Sequence, residues 1–335
     1  MAIKVGVNGF GRIGRDVVRG FFEGEYEGIE IVAVNATGNL SDFAHLFKYD
    51  TIYKRFDGEI DVYEEGLLIN GNKVRFTNSR DPEQIPWKEL GVELVIDSTG
   101  AFKSKEDLGK HIKAGAKKVI LTAPGSDVDL TMVLGVNDHA YDPAKHDVIS
   151  NASCTTNCLA PVTKVILDNF GIERGLMTTI HAYTNDQNIM DNKHKDLRRA
   201  RAAAENIIPT STGAAQAVGL VIPEVSGKLT GYAVRVPVIT GSLVDVVFEV
   251  SKDVTVEEIN AAMKKASENE MKGILGYTDE PLVSSDIIAD NRSSIFDSKL
   301  TLVNDRVIKV VSWYDNEWGY SQRVIDLAKF VADKM

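Results

Sequence analysis

The stretch Ile3-Lys4-Val5-Gly6-Val7-Asn8-Gly9-Phe10-Gly11-Arg12-Ile13-Gly14 joins a short apolar strand to the pattern G-x-G-x-x-G. A helical pattern follows, and a second apolar segment at 29–34 gives the spacing of a βαβ unit. In such a unit Gly9 permits the tight turn, Gly11 lets a pyrophosphate approach the main chain, and Gly14 lets the helix pack on the strand. Because the pyrophosphate would lie at the helix N-terminus, this stretch predicts a dinucleotide-binding domain.

The end of the second strand bears on the choice of cofactor. An NAD-binding unit usually has an Asp or Glu there for the ribose hydroxyls, but this chain has Asn35-Ala36-Thr37-Gly38-Asn39. A carboxylate would repel a 2′-phosphate, so its absence favours acceptance of NADP. The alternative is that an acidic side chain comes from elsewhere or is dispensable.

The first half continues as alternating strands and helices. Strands are predicted at 73–76, 94–97, 118–121, 131–134 and 147–149, with a helix at 105–114. This alternation predicts a doubly wound, mostly parallel α/β sheet of the Rossmann type. The turns at 98–100 and 122–125 follow strand ends, where such sheets bind ligands, although ordinary turn chemistry would also explain their composition.

Length and composition limit the possible functions. A chain of 335 residues with 44% hydrophobic and 26% charged residues predicts a globular protein of two domains. The formal net charge of −10 argues against non-specific nucleic-acid binding. Two cysteines exclude a disulfide framework, and we see neither a signal peptide nor an apolar run long enough for a membrane span. The sequence therefore favours a cytoplasmic protein.

The stretch Ser150-Asn151-Ala152-Ser153-Cys154-Thr155-Thr156-Asn157-Cys158 has the pattern of a strand, a turn and a helix start. A helix N-terminus favours a thiolate, so Cys154 is a candidate nucleophile. The alternative is that Cys154 is a small buried hydrophobic residue, as most cysteines of soluble proteins are. Cys158 lies one turn later and is expected to be structural, since a metal pair would need two further ligands.

The second half contains candidates for a base and for anion binding. His181 directly follows a strand predicted at 176–180 and is placed to act as a base toward a nucleophile. The basic segment 191–201 indicates either a solvated helix face or a phosphate site. The turn 209–213 precedes a helix predicted at 214–220 and could form an anion-binding nest. Arg235 lies within a predicted strand, where it should face an anion or a carboxylate because an unpaired buried guanidinium is costly.

The remaining pattern predicts a second, largely antiparallel sheet. Its strands are expected at 232–238, 243–250, 299–303 and 307–314, with helices at 256–267 and 321–332. We therefore expect an α+β catalytic domain beside the Rossmann domain.

Four motifs together resemble one family along nearly the whole chain, the bacterial form of phosphorylating glyceraldehyde-3-phosphate dehydrogenase. They are Asn8–Gly14, Ser150–Cys158, His181-Ala-Tyr-Thr-Asn-Asp-Gln187 and Trp313-Tyr-Asp-Asn-Glu-Trp-Gly-Tyr320. The resemblance implies oxidation of D-glyceraldehyde 3-phosphate, with inorganic phosphate, to 1,3-bisphosphoglycerate by a homotetramer that needs neither nucleic acid nor membrane. It implies domains at 1–152 and 153–317, and a C-terminal helix, 318–335, that packs back on the first domain.

The resemblance also assigns roles to residues. Cys154 would be the nucleophile and His181 its base, through a hemithioacetal and a thioester. The attacking phosphate would contact Ser153, Thr155, Arg199, Thr212 and Gly213, and the substrate's own phosphate would contact Thr184 and Arg235. The cofactor positions implied are Gly9, Gly11, Arg12, Ile13, Gly14, Ala36, Thr37, Arg80, Thr99, Thr122, Lys193 and Asn316. The segment 183–201 would form a loop at the subunit interface, close to a neighbour's cofactor.

The chain departs from NAD-specific members of that family, which have Asp at the position of Ala36 and commonly Leu-Pro at 192–193. Ala36, Asn192 and Lys193 give space, hydrogen bonds and positive charge for a 2′-phosphate, which predicts dual or NADP-leaning cofactor use. Two rival functions stay open at this point. One is a dehydrogenase of a related phosphorylated aldehyde such as erythrose 4-phosphate, and the other is a binding protein that has lost the chemistry.

Overall fold

The computed structural model describes residues 2–335, which form two compact units. Unit 1 comprises residues 2–132, 139–152 and 321–335, and unit 2 comprises residues 133–138 and 153–320. Among residues 2–335, none of the helices combines the length and the apolar character needed to cross a bilayer.

Unit 1 is built on a nine-stranded sheet with helices. Its elements are β1 (Ile3–Asn8), α1 (Arg12–Glu23), β2 (Ile29–Asn35), α2 (Leu40–Lys48), β3 (Tyr49–Asp50), β4 (Lys54–Arg55), β5 (Ile60–Tyr63), β6 (Gly66–Ile69), β7 (Asn72–Thr77), α3 (Trp87–Leu90), β8 (Leu94–Asp97), α4 (Lys105–Lys113), β9 (Lys118–Leu121), β10 (Leu130–Thr131) and β11 (Val148–Ser150). The strand order is β10-β11-β9-β8-β1-β2-β7-β6-β5.

The parallel part of this sheet determines where a ligand can bind. Strands β10 to β7 in that order pair in parallel, and only β6 and β5 add antiparallel pairs at one edge. Strand β1 lies between β2 and β8, so the later strands of the sheet are added on opposite sides of it. This is the topological switch point, and ligands of such sheets bind at the carboxyl ends of the strands beside it. The buried side chains of Ala33, Trp87, Val95, Leu108 and Val119 form a core on this sheet.

Unit 2 contains an eight-stranded sheet in which most pairs are antiparallel. Its elements are α5 (Cys154–Phe170), β12 (Arg174–Ala182), β13 (Ile208–Ser211), α6 (Ala214–Val221), β14 (Leu229–Val236), β15 (Ser242–Glu249), α7 (Val256–Glu268), β16 (Leu275–Thr278), β17 (Ser294–Asp297), β18 (Leu302–Asn304), β19 (Val307–Tyr314) and α8 (Trp318–Ala332), whose last part belongs to unit 1. The strand order is β13-β14-β12-β15-β19-β17-β16, with β18 paired to β19.

Local sequence explains these elements. Burial alternates along β15, and the buried positions include Val244, Val246 and Phe248, as expected for a strand with one covered face. Helix α7 begins with a capping box in which the Thr255 side chain accepts from the main chain of Glu258 and the Glu258 carboxylate accepts from that of Thr255. The predicted fold class, a Rossmann sheet plus a largely antiparallel sheet, is confirmed.

Two local predictions were wrong, and in both cases a side chain pairs with the main chain where a strand was expected. The strand expected at 131–134 is only Leu130–Thr131, because the Asn137 carboxamide accepts from the Val133 N–H at 2.9 Å and closes a turn. At 299–303 the chain forms a 3₁₀ turn before β18, with the Asp297 carboxylate accepting from the Lys299 N–H. The segment 191–201, for which a solvated helix face and a phosphate site were the alternatives, contains turns and bends.

Candidate active site

Cys154 is the first residue of α5, so the expected position at a helix start is observed. The Ser153 hydroxyl caps this helix by accepting a hydrogen bond of 3.1 Å from the Thr156 N–H. The Cys154 side chain is half-buried, whereas Cys158 is fully buried with its sulfur near the hydroxyl of Ser294. Only Cys154 combines a helix N-terminus with access for a reactant.

The Cys154 sulfur lies 3.5 Å from Nε2 of His181, which stands near the end of β12. His181 Nδ1 lies 2.6 Å from the carbonyl oxygen of Ala182, which can only accept, and 2.9 Å from Nη1 of Arg235, which can only donate. Nε2 is the ring nitrogen that faces the sulfur. The pair therefore has the geometry of a nucleophile and its base.

The charge state of this pair differs from the expectation for a helix N-terminus. Burial raises the pKa of the Cys154 thiol, and the opposing effects of the Arg235 charge and of main-chain N–H groups do not outweigh it. Burial, and then the charge of Arg235, lowers the pKa of His181 to about 3. Burial therefore opposes the thiolate that the helix N-terminus was predicted to favour. A neutral imidazole is nevertheless the form that can take the thiol proton.

Arg235 is the cation nearest to this pair. It pairs in register with His181 across the parallel strands β12 and β14, and its Nη1 donates to the Ala182 carbonyl at 3.0 Å. The hydroxyl of Thr184 lies 3.5 Å from the same Nη1. No carboxylate of the described residues pairs with Arg235, and its buried Nε has no hydrogen-bond partner there. An arginine with an unused buried donor fits an anionic ligand.

Arg199 has a different environment. Its Nη1 donates to Asp186, its Nε to the Thr210 hydroxyl at 2.8 Å, and its Nη2 to the Ser211 carbonyl at 3.1 Å. Burial opposes the Asp186 carboxylate, but the hydrogen bond and charge of Arg199 prevail and lower the pKa of Asp186. The charge of Arg199 also contributes to the lowered pKa values of His181 and Arg235. Arg199 and Arg235 therefore form one positively charged region in a chain whose net charge is negative.

The turn before α6 is formed as predicted. Gly213 caps this helix, and the Thr212 hydroxyl accepts from the Ala214 N–H at 3.2 Å. A Cβ added to Gly213 would meet no atom within 4 Å, so its main chain faces open space. The Thr155 hydroxyl lies 2.9 Å from that of Tyr314, a residue to which the sequence assigned no role.

A cleft of about 550 Å³ lies in unit 1 at the carboxyl ends of β1, β2 and β8. Of the predicted cofactor residues it is lined by Gly9, Gly11, Ala36, Thr37, Arg80 and Thr99. None of the described residues that line it is acidic, and Arg80 is exposed at its wall. The cleft thus has the position, the size and the charge for an anionic nucleotide.

The three glycines of the first motif have the three expected roles. Gly9 has φ +96°, in the left-handed region that favours glycine. A Cβ on Gly14 would lie 1.9 Å from the Gly9 carbonyl oxygen, so only glycine lets α1 pack there. A Cβ on Gly11 would meet no atom within 4 Å, which leaves the main chain open to a ligand. These geometries fit a pyrophosphate at the start of α1.

Two family models match the chain. The model described as glyceraldehyde 3-phosphate dehydrogenase, NAD binding domain, matches residues 3–105, and the one described as glyceraldehyde 3-phosphate dehydrogenase, C-terminal domain, matches residues 153–316. The chain belongs to the glyceraldehyde-3-phosphate dehydrogenase family.

Curated relatives match the chain over its whole length. Glyceraldehyde-3-phosphate dehydrogenase 2 of Streptomyces avermitilis is 57% identical, with 100% of both chains covered. Glyceraldehyde-3-phosphate dehydrogenase of Geobacillus stearothermophilus is also 57% identical, over 100% of this chain and 99% of its own. Glyceraldehyde-3-phosphate dehydrogenase 1 of Bacillus subtilis is 55% identical over the same shares. The resemblance drawn from the four motifs is confirmed.

The two glyceraldehyde-3-phosphate dehydrogenase family models divide the candidate residues between two domains. The part matched by the C-terminal domain model contains Cys154, His181, Arg199 and Arg235, and the part matched by the NAD binding domain model contains the glycines of the first motif. Arg12 and Ile13 are the first two residues of α1, and the Arg12 side chain pairs with Asp50. Three predicted cofactor residues belong to other parts of the structure. Thr122 follows β9, Lys193 is exposed in unit 2, and buried Asn316 accepts from the Ser242 hydroxyl at 2.8 Å.

Several polar residues of this family member were missed in the sequence. Asp186 and Thr210 hold Arg199, Tyr314 contacts Thr155, and Ser242 contacts Asn316. Asp186 and Tyr314 belong to two of the quoted motifs, so their place beside functional residues was a usable signal. Thr210 lies in the turn 209–213, which the sequence marked as a candidate nest, whereas Ser242 gave no signal because its contact depends on strand register. Among residues 2–335, no group of three or more His, Cys, Asp or Glu side chains could hold a metal ion.

Proposed function

We propose that this protein oxidises D-glyceraldehyde 3-phosphate to 1,3-bisphosphoglycerate, reversibly, with NAD(P) and inorganic phosphate. The observation that carries the proposal is the 3.5 Å approach of the Cys154 sulfur to Nε2 of His181 in a chain of this family. Full-length relatives that bear the enzyme's name support it.

The reaction follows from the chemistry of this pair. His181 Nε2 takes the thiol proton as the Cys154 sulfur attacks the aldehyde carbon, and returns it to the oxygen to give a hemithioacetal. NAD(P), when bound, accepts the hydride from that carbon. His181 takes the hydroxyl proton as the hydride leaves, and a thioester remains on Cys154. A phosphate oxygen then attacks the thioester carbon and displaces the sulfur, which yields the acyl phosphate.

Two anion sites are needed, one for each phosphate. We assign the substrate's phosphate to Arg235 and Thr184, because Arg235 has a buried Nε without a partner and its Nη1 lies near the Thr184 hydroxyl. We assign the attacking phosphate to the N-termini of α5 and α6 and to Arg199, whose guanidinium donates to Asp186. The residues of that second site are Ser153, Thr155, Arg199, Thr212 and Gly213.

We propose that residues 1–152 bind the cofactor, that residues 153–317 provide the chemistry and that 318–335 pack back on the cofactor domain. The cofactor's pyrophosphate would lie on the first turn of α1 and its nicotinamide carboxamide on Asn316. The residues proposed to contact it are Gly9, Gly11, Arg12, Ile13, Gly14, Ala36, Thr37, Arg80, Thr99, Thr122, Lys193 and Asn316. The family model supports NAD, and we further propose acceptance of NADP. Ala36 in place of an acid and exposed Arg80 in a cleft without acidic lining support that step.

We also propose a homotetramer in the cytoplasm. Ile189, Met190 and Leu197 expose 86%, 74% and 80% of their surface on the segment 183–201, and Leu176 and Tyr232 are exposed on neighbouring strands. So much exposed apolar surface suits contact with further copies of the chain. A reducing compartment is the one in which the free thiol of Cys154 persists.

Kinetics with and without phosphate test the function. We expect a burst of reduced cofactor without phosphate, from thioester formation, and sustained turnover only when phosphate is added. Cys154→Ser should abolish both, while Cys158→Ser should keep both. Turnover that is independent of phosphate would instead support the rival dehydrogenase of erythrose 4-phosphate, whose thioester is hydrolysed. Full oxidation activity in Cys154→Ser would refute the mechanism, and a hundredfold preference for NAD would refute the NADP proposal.

A further inference from the structure

The hydroxyl of Tyr314 occupies a position that the proposed reaction leaves unexplained. It lies 2.9 Å from the hydroxyl of Thr155 and 2.9 Å from that of Thr179. All three side chains are buried, with at most 4% of their surface exposed. Thr155 is a residue of the proposed attacking-phosphate site, while Thr179 lies on β12, two residues before His181. Tyr314 therefore connects the proposed site to β12.

The carbonyl oxygen that accepts from Thr179 determines the direction of each hydrogen bond in this series. The Thr179 hydroxyl lies 3.1 Å from the carbonyl oxygen of Leu243, which can only accept. The single proton of Thr179 goes to that carbonyl, so the proton between Thr179 and Tyr314 belongs to Tyr314. The tyrosine oxygen has no second proton, and Thr155 must then donate to it. The chain of donors runs from Thr155 through Tyr314 and Thr179 to the Leu243 carbonyl.

This order changes what Thr155 can offer to a ligand. Its only proton points toward Tyr314, so its oxygen presents only lone pairs to the site. A lone pair repels an unprotonated anion oxygen and accepts a hydrogen bond from a protonated one. At neutral pH inorganic phosphate carries a proton on one oxygen, whereas sulfate carries none.

We propose that Tyr314 and Thr179 are positioning residues that make Thr155 a hydrogen-bond acceptor, so that the site selects hydrogen phosphate over unprotonated anions such as sulfate. The inference rests on the proposed function, because it takes Thr155 to be in the attacking-phosphate site. The proton of hydrogen phosphate is held on Thr155, and an unprotonated phosphate oxygen remains available for the thioester.

Two substitutions break the chain at different points. Tyr314→Phe removes the acceptor of Thr155 and keeps the ring, whose edge packs on His181 with ring centres 5.9 Å apart. Thr179→Val conserves shape and leaves the Tyr314 hydroxyl to donate to Thr155 instead. In both variants the Thr155 proton is free to turn toward the site. Tyr141→Phe is the matched control, because the buried hydroxyl of Tyr141 has no hydrogen-bond partner among the described residues.

The experiment measures the full-length enzymes at neutral pH, with KM for phosphate and the inhibition constant KI of sulfate competing with phosphate. We expect the ratio of KI for sulfate to KM for phosphate to fall about tenfold in Tyr314→Phe and in Thr179→Val, the effect of one hydrogen bond to a charged group. The ratio should not change in Tyr141→Phe. The burst without phosphate should remain detectable in both variants, and KM for the aldehyde and the cofactor should change less than this ratio.

An unchanged ratio in both variants would overturn the inference. So would a parallel rise of every KM, because that is the sign of a merely structural role. The burst separates this result from failure of the proposed function. Loss of phosphate dependence in the unsubstituted protein would overturn both, whereas an intact, phosphate-dependent enzyme with an unchanged ratio would overturn the inference alone.

Discussion

Replacing His181 by Gln tests whether Cys154 depends on its neighbour for reactivity. In the structure, burial raises the pKa of the Cys154 thiol above its ordinary value of 9.0. A thiol of that pKa is at most about 1% thiolate at pH 7. The protein compensates by placing Nε2 at 3.5 Å, and the pKa of His181, lowered to about 3, keeps the imidazole neutral and able to take the proton. Without it, Cys154 is a buried thiol without a base.

The expected loss can be given for two assays. The rate of the cofactor burst should fall by about 10²- to 10⁴-fold, the usual contribution of a positioned general base. Alkylation of Cys154 by iodoacetamide should slow at neutral pH and then rise about tenfold per pH unit, since below its raised pKa the thiolate fraction follows pH directly. The unsubstituted protein should keep its reactivity toward lower pH, because His181 stays neutral down to about 3.

His139→Gln is the matched control, since His139 is exposed and outside the site. It should alkylate at the rate of the unsubstituted protein, with an equal burst. If His181→Gln also alkylated at that rate at neutral pH, then the helix N-terminus and Arg235 would suffice to form the thiolate. The role given to His181 as the activating base would be refuted.

Three further predictions concern unit 1. Ala36→Asp should depress kcat/KM with NADP far more than with NAD, because a carboxylate in the cleft would repel the 2′-phosphate; equal losses with both cofactors would contradict this. Gly14→Ala should lower Tm sharply, because its Cβ would lie 1.9 Å from a main-chain oxygen, whereas Gly11→Ala should keep Tm and raise KM for the cofactor. Asp50→Asn should lower the free energy of unfolding by about 1 kcal/mol at neutral pH. Burial opposes the Asp50 carboxylate, but main-chain N–H groups and an arginine prevail and lower its pKa from 3.8, so this stability is present above about pH 4 and is lost as pH falls through the lowered pKa. Urea unfolding of the variant and the unsubstituted protein, at neutral pH and below the lowered pKa, checks this prediction. A difference in the free energy of unfolding that persists in acid would refute it.

Sequence predicts best where one local pattern determines structure. The strands expected at 94–97, 118–121 and 307–314 have those bounds in the structure, because their apolar runs are bounded by turn residues. Helix α1 begins at Arg12, four residues before the helical pattern predicted at 16–22, since glycines conceal its first turn. The role of each motif glycine was predictable from spacing because main-chain geometry alone decides it.

Contacts that depend on strand register were beyond the sequence. His181 lies beside Arg235 because β12 and β14 pair in parallel with those two residues in register. The sequence of neither segment predicts that pairing. Burial was hidden for the same reason. Cys154 has the local pattern of an acidic thiol, yet the elements packed around it decide its pKa. Sequence predicted which residues would react, whereas their charge states required the tertiary structure.

The two arginines near His181 are not equivalent, and the difference suits a substrate that carries its own anion. Arg199 is neutralised by Asp186 whether or not a ligand is present, whereas Arg235 has no such carboxylate. The unneutralised charge of Arg235 is the second cause of the low proton affinity of His181. An anion bound at Arg235 would offset that charge, and by Coulomb's law the imidazole would then hold a proton more readily. If the substrate's phosphate binds at Arg235 as proposed, it would therefore strengthen the base at the moment when an aldehyde is in place to react.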